Sequence, residues 1–192
     1  MKTVATSSCS ATTRRCARSA SRSLSAAGAS SGSLAETLFD TPSGFAASCG
    51  GELLLVESGA AGAGGHVLSS LRIGAPSPFG GIDGSSQVLA GDGTDETRQG
   101  VDQLARLAMP AGLAATEDGR IFWMDTSGPP VLRRHDVSTG LSDCPMFADC
   151  AEAVASPSPF VGERFTLALG ESGALYVLAT TEAAGGRLYR VE

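Results

Sequence analysis

The chain repeats itself, and no other feature limits its fold so tightly. Pro42–Ser58 lies on Pro110–Thr126 without a gap. Pro42 meets Pro110, Gly44 meets Gly112, Phe45 meets Leu113, and "LLLVE" (Leu53–Glu57) meets "IFWMD" (Ile121–Asp125). Val67-Leu68 then matches Val131-Leu132 after a shorter loop. In a third copy, Leu167-Ala168 falls on Leu113-Ala114, Gly173 on Gly119, and "LYVLAT" (Leu175–Thr180) on "IFWMDT". "RLYRVE" (Arg187–Glu192) takes the place of "VLRRHD" (Val131–Asp136). Self-similarity of this kind marks a chain assembled from one repeated supersecondary unit.

Each copy has the same outline. A short apolar run ends in a turn closed by glycine ("CGG", "EDG", "ESG"), where a positive φ is free of steric cost. A second apolar run, a Gly/Ser/Pro loop and a third run follow, and Ser86–Ala90 ("SQVLA") reads as a fourth strand. Four antiparallel strands per unit predict an all-β chain, a partial β-propeller of about three four-stranded blades. The blades are expected at about 25–84, 85–140 and 141–192, after a tail over residues 1–24. "GFAA" and "GLAA" suit a first strand crowded against a central channel, and "IFWM" a second strand that fills the space between sheets. Trp123 is therefore expected to be buried.

Val88–Gly140 resembles an NHL-type repeat. The residues that carry the resemblance are Ala90-Gly91, Pro110, Gly112-Leu113-Ala114, Asp118-Gly119, Asp125-Thr126 and Arg133-Arg134. The first copy follows less closely, with "TPSGFAAS" and "ELLLVES", and the third keeps only the strand skeleton. The neighbouring YWTD-type propellers share the "xxWxD" outline. Resemblance to the NHL family implies a propeller that presents one face to proteins or other polymers.

Charge and composition bound the partners. The formal net charge of −6 argues against nucleic-acid binding through a basic surface. No run of 18 apolar residues offers a membrane span. Residues 1–35 hold five cations (Lys2, Arg14, Arg15, Arg18, Arg22), ten serines and no acid before Glu36. That composition is what organelle transit peptides look like; a disordered tail, or a start placed too far upstream, is the alternative. It has too little apolar content to offset the entropy of ordering.

Of the five cysteines, Cys9 and Cys16 lie in the tail, and Cys49 is read as a small core residue beside a strand. "CPMFADC" closes a short loop, so Cys144 and Cys150 are read as a disulfide, with two free thiols as the alternative. A disulfide would favour an oxidising compartment, hence an organelle-targeted or secreted protein.

Chemistry is sparse. The longest connections are Gly91–Met109 and Asp143–Glu163, and long loops on a rigid scaffold are where binding residues concentrate. The candidate binding residues are Asp92, Asp95, Glu96 and Arg98 in the first of these loops, together with Asp125, which is also read as closing the turn after its strand. "DGTDE" resembles the opening of a calcium loop, but acids at the later EF-hand positions are missing. No other cofactor is implied. His66 sits in a Gly-rich stretch and His135 in a strand, each more in keeping with packing than with catalysis. No G-x-S-x-G elbow, H-E-x-x-H helix or P-loop occurs, and "GAAGAGG" (Gly59–Gly65) has no helix after it to bind phosphate.

Two functions stand. One is a non-enzymatic interaction module with a protein or polymer ligand on the long-loop face. The other is a lactonase- or lyase-like propeller enzyme with a metal near the channel mouth; the absence of any Asn weighs against it. The third copy ends on its third strand, so either the stretch before Pro42 ("SRSLSAAGA") supplies a fourth, or two copies meet as a homodimer of three blades plus three, or the chain is an open fragment of a longer propeller.

Overall fold

The structure is a computed structural model, and it describes residues 41–59, 65–76, 82–183 and 185–191. The tail, Cys9, Cys16, "SRSLSAAGA" and the centre of the Gly59–Gly65 loop lie outside those residues. The described chain is mostly β: three antiparallel sheets, the first and third meanders in chain order and the second a meander with one earlier strand added at its edge. The first contains β1 (Pro42–Ala47), β2 (Leu53–Glu57), β3 (Val67–Pro76) and β4 (Ile82–Ala90). The second contains β6 (Pro110–Ala115), β7 (Arg120–Asp125), β8 (Val131–Asp136) and β9 (Leu141–Asp143). A two-residue strand, β5 (Gly100–Val101), returns from the preceding loop to pair with the outer edge of β9. The third contains β10 (Arg164–Leu169), β11 (Leu175–Thr181) and β12 (Gly185–Val191).

The turn glycines are where the repeat placed them. Gly51, Gly119 and Gly173 each have positive φ (79°, 88° and 78°) in the first hairpin of their sheet. A side chain there would sit in a backbone region that L-residues avoid, so the turn chemistry fixes the hairpin register.

Alternation along each inner strand then builds the stack. On β6, Leu113 faces the first sheet, where it joins Leu54, Val56, Leu68, Ile121 and Trp123 in one core. Its neighbour Ala114 faces the third sheet and packs with Met124, Leu132, Phe165, Leu167 and Val177 in another. The second sheet is therefore buried on both sides. Each large aliphatic side chain so enclosed contributes about 1.5–3 kcal/mol.

The inner strands approach very closely. A Cβ placed on Gly44 of β1 would lie 2.8 Å from the Gly112 carbonyl carbon, and one on Gly112 would lie 2.8 Å from the Phe165 oxygen. Only bare backbone permits that spacing. Thr166, the exposed residue of β10 that aligns with Gly112, has a branched side chain instead. Phe45 aligns with the buried Leu113 but is 73% exposed on β1.

Three expectations need correcting. The first sheet runs to Ala90 rather than ending near residue 84, because β4 pairs along β3 from Pro76 to Leu68. The second likewise runs past residue 140 to Asp143, where β9 continues the ladder. Cys49 is exposed in the β1–β2 turn and is not a core residue. Among the described residues the third sheet has three strands, and the sheets do not close into a ring.

Candidate functional site

Two adjacent arginines on a strand must point to opposite faces, so "RR" in β8 forces one guanidinium inward. That one is Arg133. Its side chain is fully buried, and each of its three nitrogens has a hydrogen-bond partner. Nη1 donates to Asp125 Oδ2 at 2.6 Å and to the Arg106 carbonyl at 3.0 Å. Nη2 donates to the Arg98 carbonyl at 3.0 Å and Nε to the Asp143 carbonyl at 3.3 Å. The guanidinium carbon also lies 5.4 Å from the Trp123 ring centre, a cation–π distance.

Asp125 is the other half of this centre. Trp123 Nε1 donates to its Oδ1 at 2.8 Å, and Thr97 Oγ1 donates to its Oδ2 at 2.9 Å. Burial pushes the Asp125 carboxyl above the ordinary carboxylate range, against the opposing pull of Arg133, Trp123 and Thr97. Asp125 therefore lies buried beneath the loop, in keeping with its reading as a turn-closing residue, while the other four candidates lie on the loop itself. A ligand has no path to a side chain with every oxygen already engaged.

The centre organises the Gly91–Met109 loop above it. Arg98 and Arg106, whose carbonyls bond to Arg133, also pair with each other through a backbone bridge. Arg106 then reaches back across the loop, with Nε to Asp92 Oδ2 at 3.0 Å and Nη1 to Glu96 Oε2. Burial alone would raise the Asp92 carboxyl, but hydrogen bonds from Thr94 and Arg106 hold it below the usual range. Arg98 spends its Nη2 on the Leu104 carbonyl at 3.0 Å. Asp95 is exposed and bridges to Leu107 through backbone only. Four of the five expected residues therefore do gather on one solvent-facing loop. Arg106 occupies two carboxylates that a cation would need, and among the described residues no three His, Cys, Asp or Glu side chains converge as a metal set.

Both histidines are internal. His66 has φ 62°, and its Nδ1 accepts the Met109 amide at 3.3 Å, which ties down the end of the same loop. His135 Nδ1 lies 2.9 Å from Ser142 Oγ, and burial lowers its pKa to about 4. A nucleophile–base pair shut away from solvent has no substrate to act on. Here it joins β8 to β9.

The second long loop begins with the expected disulfide, Cys144–Cys150, with both cysteines buried. Cys150 starts the helix α1 (Cys150–Ala155), which the sequence reading did not anticipate. Its signal was present: Asp149 Oδ1 accepts the Glu152 amide at 2.8 Å, and Glu152 Oε2 accepts the Ala148 amide at 3.0 Å. The first bond is an N-cap, and the second secures the residue just before it. Arg106, Thr97 and Arg133 were likewise not singled out as parts of a site. Comparison with known proteins adds no identity: no family model and no curated protein matches the chain.

Proposed function

We propose that the chain is an open, propeller-type stack of NHL-like blades that serves as a non-enzymatic interaction module, with the Gly91–Met109 loop as its contact surface. The observation that carries the reading is the fixed presentation of that loop. Arg133 and Asp125 anchor it from below, and Arg106 braces Asp92 and Glu96 within it. A pre-ordered polar surface loses little conformational entropy when it binds. The close inner strands and the alternating cores support the blade-like assignment of the three sheets.

The test is a peptide-display selection against the purified protein, followed by binding of the enriched peptides to Asp95→Lys and Arg98→Glu. Peptides that lose binding to either variant bear the reading out. Peptides indifferent to both, or no enrichment, reject this loop as the contact surface. Stoichiometric calcium or zinc in the purified protein would overturn the reading in favour of a propeller enzyme.

A further inference from the structure

We infer that a second copy of this chain docks head to tail on the outer face of the third sheet, with its Phe45 seated against Leu178 and Leu188. One cross-strand pair recurs in all three sheets: Val56–Leu68, Met124–Leu132 and Leu178–Leu188. A second recurs on the same face: Ala46–Leu54, Ala114–Phe122 and Ala168–Tyr176. In the first sheet these residues pack against the second sheet, and in the second sheet against the third. In the third sheet they alternate with the buried Val177 and Ala179 and so face outward, where Leu178 is 40% and Leu188 67% exposed. Large apolar side chains gathered on one face mark an interaction surface.

The occupant follows from what fills those places inside the chain. Leu113 of the second sheet joins Val56 and Leu68 in one core, and Leu167 of the third joins Met124 and Leu132 in the other. The first sheet carries the residue that aligns with both, Phe45, and it is 73% exposed. The third sheet thus repeats the socket and the first repeats the knob, which is the arrangement of a heterologous contact between identical copies. Phenylalanine in place of leucine suits this joint. Thr166 keeps a branched side chain on β10 where Gly44 and Gly112 have none, so the joint between copies is wider, and the larger knob fills it. The inference rests on the sheet register and is independent of the loop-face reading.

The test is sedimentation velocity of the full chain across a micromolar concentration series, with free thiols alkylated. The parent should associate as its concentration rises. Phe45→Glu removes the knob and Leu188→Glu puts a charge in the socket, so each alone should sediment as a single copy. Both side chains are exposed, and blue-shifted Trp123 emission will show that each variant is folded. The decisive step mixes the two. Phe45→Glu retains its socket and Leu188→Glu its knob, so the mixture should form a two-copy complex that neither forms alone. Asp95→Lys, on the loop face, should associate as the parent does. A parent that stays single at every concentration would overturn the inference, and so would variants that associate like the parent. Variants that remain single when mixed would overturn it too, because the two faces would then not be each other's complement.

Discussion

Arg133 and Asp125 form a buried ion pair, Nη1 to Oδ2 at 2.6 Å, with side-chain exposures of 0% and 1%. A pair this deep is stable only because each of its nitrogens and oxygens has a hydrogen-bond partner, here from Trp123, Thr97, two carbonyls of the Gly91–Met109 loop and the Asp143 carbonyl of β9. Removing one partner leaves an unanswered buried charge. Asp125→Ala should therefore cost about 3–5 kcal/mol in urea unfolding. Replacing both partners by apolar residues should restore part of that loss. A double variant no better than the single would refute the argument.

Trp123 fills the space between the first and second sheets and is fully buried. Trp123→Ala should cost about 3–5 kcal/mol, as large aromatic truncations in a core do. It is the sole tryptophan, so native emission should be blue-shifted and should move to the red on unfolding. A solvent-exposed emission maximum in the native protein would contradict its placement.

His135 makes the fold acid-sensitive. Burial lowers its pKa from the ordinary 6.5 to about 4, so between these values the unfolded chain binds the proton and the folded chain does not. The stability this group supplies is complete above pH 6.5 and falls away as the pH drops toward 4. The loss amounts to about 3 kcal/mol. Urea midpoints measured at pH 7 and pH 4 should differ by less in His135→Gln than in the parent. Equal differences would show that other groups carry the acid response.

The Cys144–Cys150 bridge closes a loop with a sequence separation of 6. Chain-entropy arguments put its contribution at about 2 kcal/mol. Alkylation without reductant should leave both cysteines unmodified by intact mass. Ready labelling of both would remove the case for an oxidising compartment.

Gly44→Ala should destabilise by about 1–3 kcal/mol, because the new methyl meets main chain of β6 rather than a side chain that can turn aside. Gly128→Ala has nothing within 4 Å of the added group and should be nearly silent. Equal effects from the two would mean that the inner strands are farther apart than described.

The sheets were legible in the sequence because a strand repeat writes its turns and its alternation locally. Gly51, Gly119 and Gly173, and the pairing of "IFWMD" with small inner-strand residues, needed no long-range knowledge. The site was only half legible. Asp92, Asp95, Glu96 and Arg98 share a loop, and any reading of polar loop residues finds them. For Asp125 the turn-closing role was legible, but its partners Thr97 and Arg133 were not, because they are brought to it only by folding. Cys49 was taken for core because cysteine is usually buried, whereas this one follows the strand into its turn.

At Gly44 and Gly112 the next inner strand comes in against bare backbone, while Thr166 holds a branched side chain at the matching place on β10. A fourth layer brought to the same distance would drive that side chain into main chain, and a second copy stacked head to tail would have to seat farther out. Among the described residues the three inner strands are therefore not interchangeable: β1 and β6 offer bare backbone at this place and β10 does not.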